Sequence, residues 1–143
     1  MISGYFGAFT YTANGVRTSS YNFIDLDRVT IHPNNQTFVA ITGTNKFIVA
    51  DWFGNYINIP TTTGTYDCDY SDDGKYLAVG GLSFTHIYNA TDNTFLTSVP
   101  AQSIGGVYGT RLTSNSRYLL AATAGSGQVY LYYRSDYYYI NCT

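Results

Sequence analysis

The chain has 143 residues, 45% hydrophobic and 17% aromatic, with only 11% charged. Its seven basic and nine acidic residues are scattered and sum to −2, which leaves no electrostatic footprint for nucleic acid and no polybasic membrane signal. All nine acids are Asp, Lys occurs only at Lys46 and Lys75, and Tyr and Phe number 16 and 8, a bias that favours strands over helices.

The longest apolar runs are about six residues, too short to span a bilayer. No basic segment followed by a long apolar stretch marks a signal peptide at the N-terminus. Three N-x-S/T sequons begin at Asn35, Asn89 and Asn141. With low charge and high Tyr content, they favour an extracellular or cell-surface glycoprotein, with a cytoplasmic setting as the alternative. Cys68 and Cys142 allow one disulfide or none.

In chain order, residues 6–12 read as a strand, Asn14-Gly15 as a hairpin turn, and 17–23 as a second strand. Strands then follow near 28–32, 37–42, 46–51 and 56–60, and near 66–70, 75–80, 84–89 and 94–99. A last set lies near 106–112, 117–123, 128–133 and 137–142. Polar turn residues separate them, among them Pro33-Asn34-Asn35, Phe53-Gly54-Asn55 and Asp72-Asp73-Gly74.

These sets are copies of one another. Asp72-Asp73-Gly74-Lys75-Tyr76-Leu77-Ala78-Val79 aligns with Asn34-Asn35-Gln36-Thr37-Phe38-Val39-Ala40-Ile41 at an offset of 38. It aligns with Ser114-Asn115-Ser116-Arg117-Tyr118-Leu119-Leu120-Ala121 at 42. His86-Ile87-Tyr88-Asn89 matches Ile48-Val49-Ala50-Asp51 at 38 and Tyr130-Leu131-Tyr132-Tyr133 at 44. A period of about 40 residues fits four short strands, the unit of a propeller blade. The expected fold is all-β, a β-propeller-like array of four-stranded antiparallel blades with about three and a half repeats. It forms a single domain with a partial blade at 1–25 and blades at 26–62, 63–103 and 104–143. The second strand of each blade is apolar throughout because neighbouring blades cover both its faces. The ring is either incomplete or completed by strands from another chain, since propellers usually need four or more blades.

Ser71-Asp72-Asp73-Gly74-Lys75-Tyr76-Leu77-Ala78-Val79-Gly80 resembles the hairpin of WD40-like and YVTN-type propeller repeats, and Ile87-Tyr88-Asn89 resembles the end of their third strand. The Gly-His and Trp-Asp signatures are missing. The resemblance implies a scaffold or binding platform rather than a particular activity.

No catalytic constellation stands out, and no cofactor is implied. Asp69-x-Ser71-x-Asp73-Gly74 resembles a calcium loop, but Leu77 stands where a closing acid is wanted, so a polar turn is the plainer reading and no metal is expected. His32 and His86 lack metal spacing, and no G-x-S-x-G elbow occurs. Tyr130, Tyr132, Tyr137 and Tyr139 form the most distinctive cluster. They read either as packing against an adjacent blade or as a contact surface for protein or carbohydrate. The function expected from sequence is a non-catalytic structural or protein-interaction module. It self-associates through edge strands, or another chain supplies the missing strands, to give an oligomer or filament. The alternatives are a lectin-like glycan or small-molecule binding domain using exposed tyrosines, and a fragment of a larger propeller protein.

Overall fold

A computed structural model describes residues 7–11, 13–22, 26–100, 105–125, 127–135 and 138–141. Among the described residues there are fourteen strands and no helix. β1 (Gly7–Tyr11) and β2 (Arg17–Asn22) form a two-stranded sheet. β3 (Arg28–Ile31), β4 (Thr37–Ile41), β5 (Lys46–Asp51) and β6 (Tyr56–Pro60) form the first blade. The second comprises β7 (Thr65–Tyr70), β8 (Tyr76–Gly81), β9 (Phe84–Asn89) and β10 (Phe95–Pro100). The third comprises β11 (Val107–Leu112), β12 (Tyr118–Thr123), β13 (Val129–Ser135) and β14 (Tyr138–Asn141). Within each blade consecutive strands pair antiparallel.

Two details differ from the sequence reading. The first hairpin pairs Tyr11 with Arg17, with a register shift after Thr10, so its connection is longer than Asn14-Gly15. The second concerns the turn between the first and second strands of each blade. His32, Ser71 and Thr113 donate their N–H groups to the carbonyls of Thr37, Tyr76 and Tyr118. The left-handed residues of these turns are Asn35 (φ 57°), Gly74 (φ 68°) and Ser116 (φ 56°). Gly74 therefore corresponds to Asn35, not Gln36, and the offset between the first two copies is 39 here. Asn34, Asp73 and Asn115 each accept the backbone N–H two residues on, which fixes the same turn from three different sequences.

One residue of slip matters because it exchanges the faces of a strand. Val39 and Ile41 face the second blade, where they meet Cys68, Tyr70, Leu77, Val79 and Tyr88. Ala78 faces the third blade and joins Ile87, Val107, Leu112, Leu119, Ala121, Tyr130 and Tyr132. Phe38 and Ala40 face the other way, packed with Ile48, Ala50 and the partly buried Trp52. The core is thus a set of apolar layers between blades.

Gly80 shows how close that approach is. A Cβ there would lie 2.5 Å from Thr110 Oγ1 and 2.9 Å from the Val107 carbonyl of the next blade. We predict that Gly80→Ala lowers stability by about 1–3 kcal/mol, the usual cost of overpacking. Urea unfolding followed by circular dichroism should show the loss as a lower midpoint with an unchanged slope.

Candidate interaction site at the first strands

The first strands β3, β7 and β11 lie side by side. Their polar side chains tie the three blades together. Asp67 on β7 has no solvent-exposed side-chain surface. One of its carboxylate oxygens accepts the Nε–H of Arg28 on β3, at 2.5 Å. The other accepts the backbone N–H of Thr110 on β11, at 2.6 Å. Two residues on, Asp69 Oδ2 accepts the N–H of Leu112 at 2.9 Å. Arg111 Nη1 sits 3.8 Å from a carboxylate oxygen of both aspartates. Burial raises the Asp69 pKa even though the Leu112 N–H opposes it.

Beside this network lies a recess of about 370 Å³, lined by Asp27, Arg28, Tyr66 and Tyr108. By the turn register, Asp27, Tyr66 and Tyr108 are one position in three successive blades. In the second and third blades that position is a register shift, between Thr65 and Asp67 and between Val107 and Gly109. A bulge re-aims its side chain. Here it brings the Tyr66 and Tyr108 rings into a stack, centroids 4.4 Å apart and planes 12° apart. Tyr108 stays half exposed. Burial first, then Tyr108, keeps the Tyr66 phenol protonated above its usual range. Neither tyrosine stands out in the sequence, because a bulge breaks the alternation from which facing is read. The recurrence of Tyr at offset 42 is the signal that could have found them.

The tyrosines singled out by sequence lie elsewhere. Tyr130 and Tyr132 are buried between the second and third blades, at 8% and 2% exposure, so they form core rather than a contact surface. The Tyr132 hydroxyl donates to the Pro100 carbonyl at 2.9 Å, which accounts for a polar group at that depth. Tyr137 lies outside the described residues, and Tyr139 belongs to β14, whose side chains also lie outside them. Of the sequon residues, Asn35 is exposed at a turn, Asn89 caps its own turn by accepting the Thr91 N–H, and the Asn141 side chain lies outside the described residues. Cys68 is a free, buried thiol whose pKa burial pushes up, and Cys142 lies outside the described residues.

The Asp69–Gly74 segment is the end of β7 and the turn after it, and Asp69 and Asp73 are both occupied. Asp73 Oδ1 accepts from the Ser71 hydroxyl and the Lys75 N–H, while Asp69 reaches across to the next blade. Among the described residues no three His, Cys or Asp side chains group as a metal site requires. His32 is a latch between blades: Nε2 lies 2.9 Å from the Gly74 carbonyl, and Nδ1 accepts the Asn34 N–H. His86 is buried among Phe84, Tyr88 and Phe95 at the outer side of the second blade.

The third blade carries one further surface. Its β12–β13 flank presents Leu120 (38% exposed), Tyr133 (37%) and Val129 (62%), together with Tyr118. The residues at the Leu120 position in the other blades, Val39 and Ala78, are fully buried by a following blade.

Two predictions follow from these contacts. Asp67→Ala leaves the buried Thr110 N–H without its partner and a half-exposed guanidinium unpaired, and should cost about 1–3 kcal/mol of unfolding free energy, measured by urea titration. Burial lowers the His86 pKa below its ordinary 6.5. The unfolded chain therefore takes up a proton that the native state resists, so this contribution is complete above about pH 6.5 and is lost as pH falls. Thermal melts from pH 8 to 5 should show a shallower decline for His86→Phe than for the parent chain.

No family model matches the chain, and no curated protein matches it. Solved structures do. The WD40 repeats of RRP9 superpose with a TM-score of 0.73 at 16% identity, over 82% of this chain and 38% of that one. The β-propeller domain of Cps50 (Swd1) from Myceliophteria thermophila gives 0.74 at 15% identity, over 87% and 38%. A putative 6-phosphogluconolactonase from Bacteroides uniformis gives 0.71 at 22% identity, over 95% and 46%. The chain spans less than half the length of each. At these identities the likeness is one of fold, and the fold is that of β-propeller domains.

Proposed function

We propose that the chain is a non-catalytic structural and protein-interaction module that packs blade against blade with a neighbour. The carrying observation is the open flank of the third blade. Leu120 and Val129 stand exposed at positions that the repeat elsewhere buries completely, and Tyr133 is exposed on the same face beside them. An apolar face rimmed by polar turns is the mark of a docking surface. The partner that fits is another blade, which offers large apolar residues at the positions of Leu77 and Leu119. A longer chain or a separate chain can supply it. Similarity to WD40 propellers that are more than twice as long supports the same reading.

Light scattering of the full chain tests this. The parent is expected to have a native mass above that of the monomer, and Leu120→Asp should return it to the monomer with its strand signal intact. A parent that is monomeric at high concentration, binds no hydrophobic dye and is unchanged by Leu120→Asp would sink the reading.

A further inference from the structure

The recess at the first strands is independent of that flank, and its chemistry differs. The Tyr66–Tyr108 stack lines it, and the Tyr108 ring is half exposed. Asp27 is exposed at its edge, where its carboxylate contributes to raising the Tyr66 pKa. Arg28 gives its Nε–H to Asp67, which leaves the terminal amino groups of a guanidinium that is 45% exposed to meet a ligand. The volume, about 370 Å³, lies at the small end of the range for ligand pockets.

The charges narrow the class of ligand. Arg28 is already neutralised by Asp67, and Asp27 stands alone beside it. A strongly anionic ligand meets the Asp27 carboxylate, and a strongly cationic one meets Arg28, so neither is favoured by both groups. A neutral ligand with adjacent hydroxyls satisfies both at once. Its O–H groups donate to Asp27, and their oxygens accept from Arg28. A flat patch of C–H groups beside those hydroxyls suits the face of Tyr108. A pyranose ring carries both features.

We propose that Asp27, Arg28, Tyr66 and Tyr108 form a binding site for a neutral saccharide. Tyr108 is the stacking platform and Tyr66 holds its ring in place. Asp27 and Arg28 read neighbouring hydroxyls. Three successive blades contribute the same strand position to it, so the site exists only when the first strands are in register.

The test is saturation-transfer NMR of the full chain with glucose, galactose, mannose and their common disaccharides, alongside glucuronate as an acidic control. At least one neutral sugar should bind, and glucuronate more weakly. Tyr108→Ala and Asp27→Asn should each weaken binding about tenfold or more, whereas Tyr108→Phe should retain it, since it keeps the ring. Circular dichroism confirms that each variant is folded. Absence of transfer to any neutral sugar, or binding indifferent to both Tyr108→Ala and Asp27→Asn, overturns the proposal. Neither result bears on the blade-packing reading, whose variants lie on the third blade's flank.

Discussion

A single carboxylate holds three strands from three blades in register. Asp67 is wholly buried, with Arg28 of the preceding blade on one oxygen and the Thr110 N–H of the following blade on the other. Burying a charge is costly unless its lone pairs are occupied. Here they are, so the arrangement is all-or-none: the carboxylate is tolerable only when both neighbours are in place. The apolar layers tolerate small slides between blades, since van der Waals contact has little directionality. The Asp67 bonds do not. They convert a set of sticky sheets into one set with a defined stagger, and the alignment of Tyr66 over Tyr108 depends on that stagger.

Much of this architecture was legible in the sequence because a blade is a local object. The four strands of each copy are joined by short turns, and their apolar runs and polar breaks recur. The one-residue error in the first copy has a physical origin. The left-handed turn position is Gly74 in one blade, but Asn35 and Ser116 in the others, and glycine is the only one of the three that announces such a backbone. Matching apolar residues instead of turn geometry put Phe38 opposite Tyr76, although the two face opposite ways. A continuous apolar strand carries no alternation to reveal the mistake.

The site was less legible. Tyr130 and Tyr132 read equally as packing or as a contact surface, because alternation says only that two residues share a face. It does not say whether another sheet lies on it. Their burial depends on the second blade, a long-range fact. Tyr66 and Tyr108 were hidden for the opposite reason. They sit on bulges, where the chain abandons the two-residue period on which facing is judged. His86 and Cys68, the residues with the most reactive side chains, are packed between sheets or among aromatic rings, so their chemistry is subdued by their surroundings.

The aspartates on β7 have a further effect on how this molecule meets others. A first strand has hydrogen-bonding groups on the side away from its hairpin partner, and such a row ordinarily invites a foreign strand. On β11 two of these N–H groups, those of Thr110 and Leu112, are occupied by Asp67 and Asp69. A side chain has taken the place of a backbone. At those two positions the β11 edge is closed to a foreign strand.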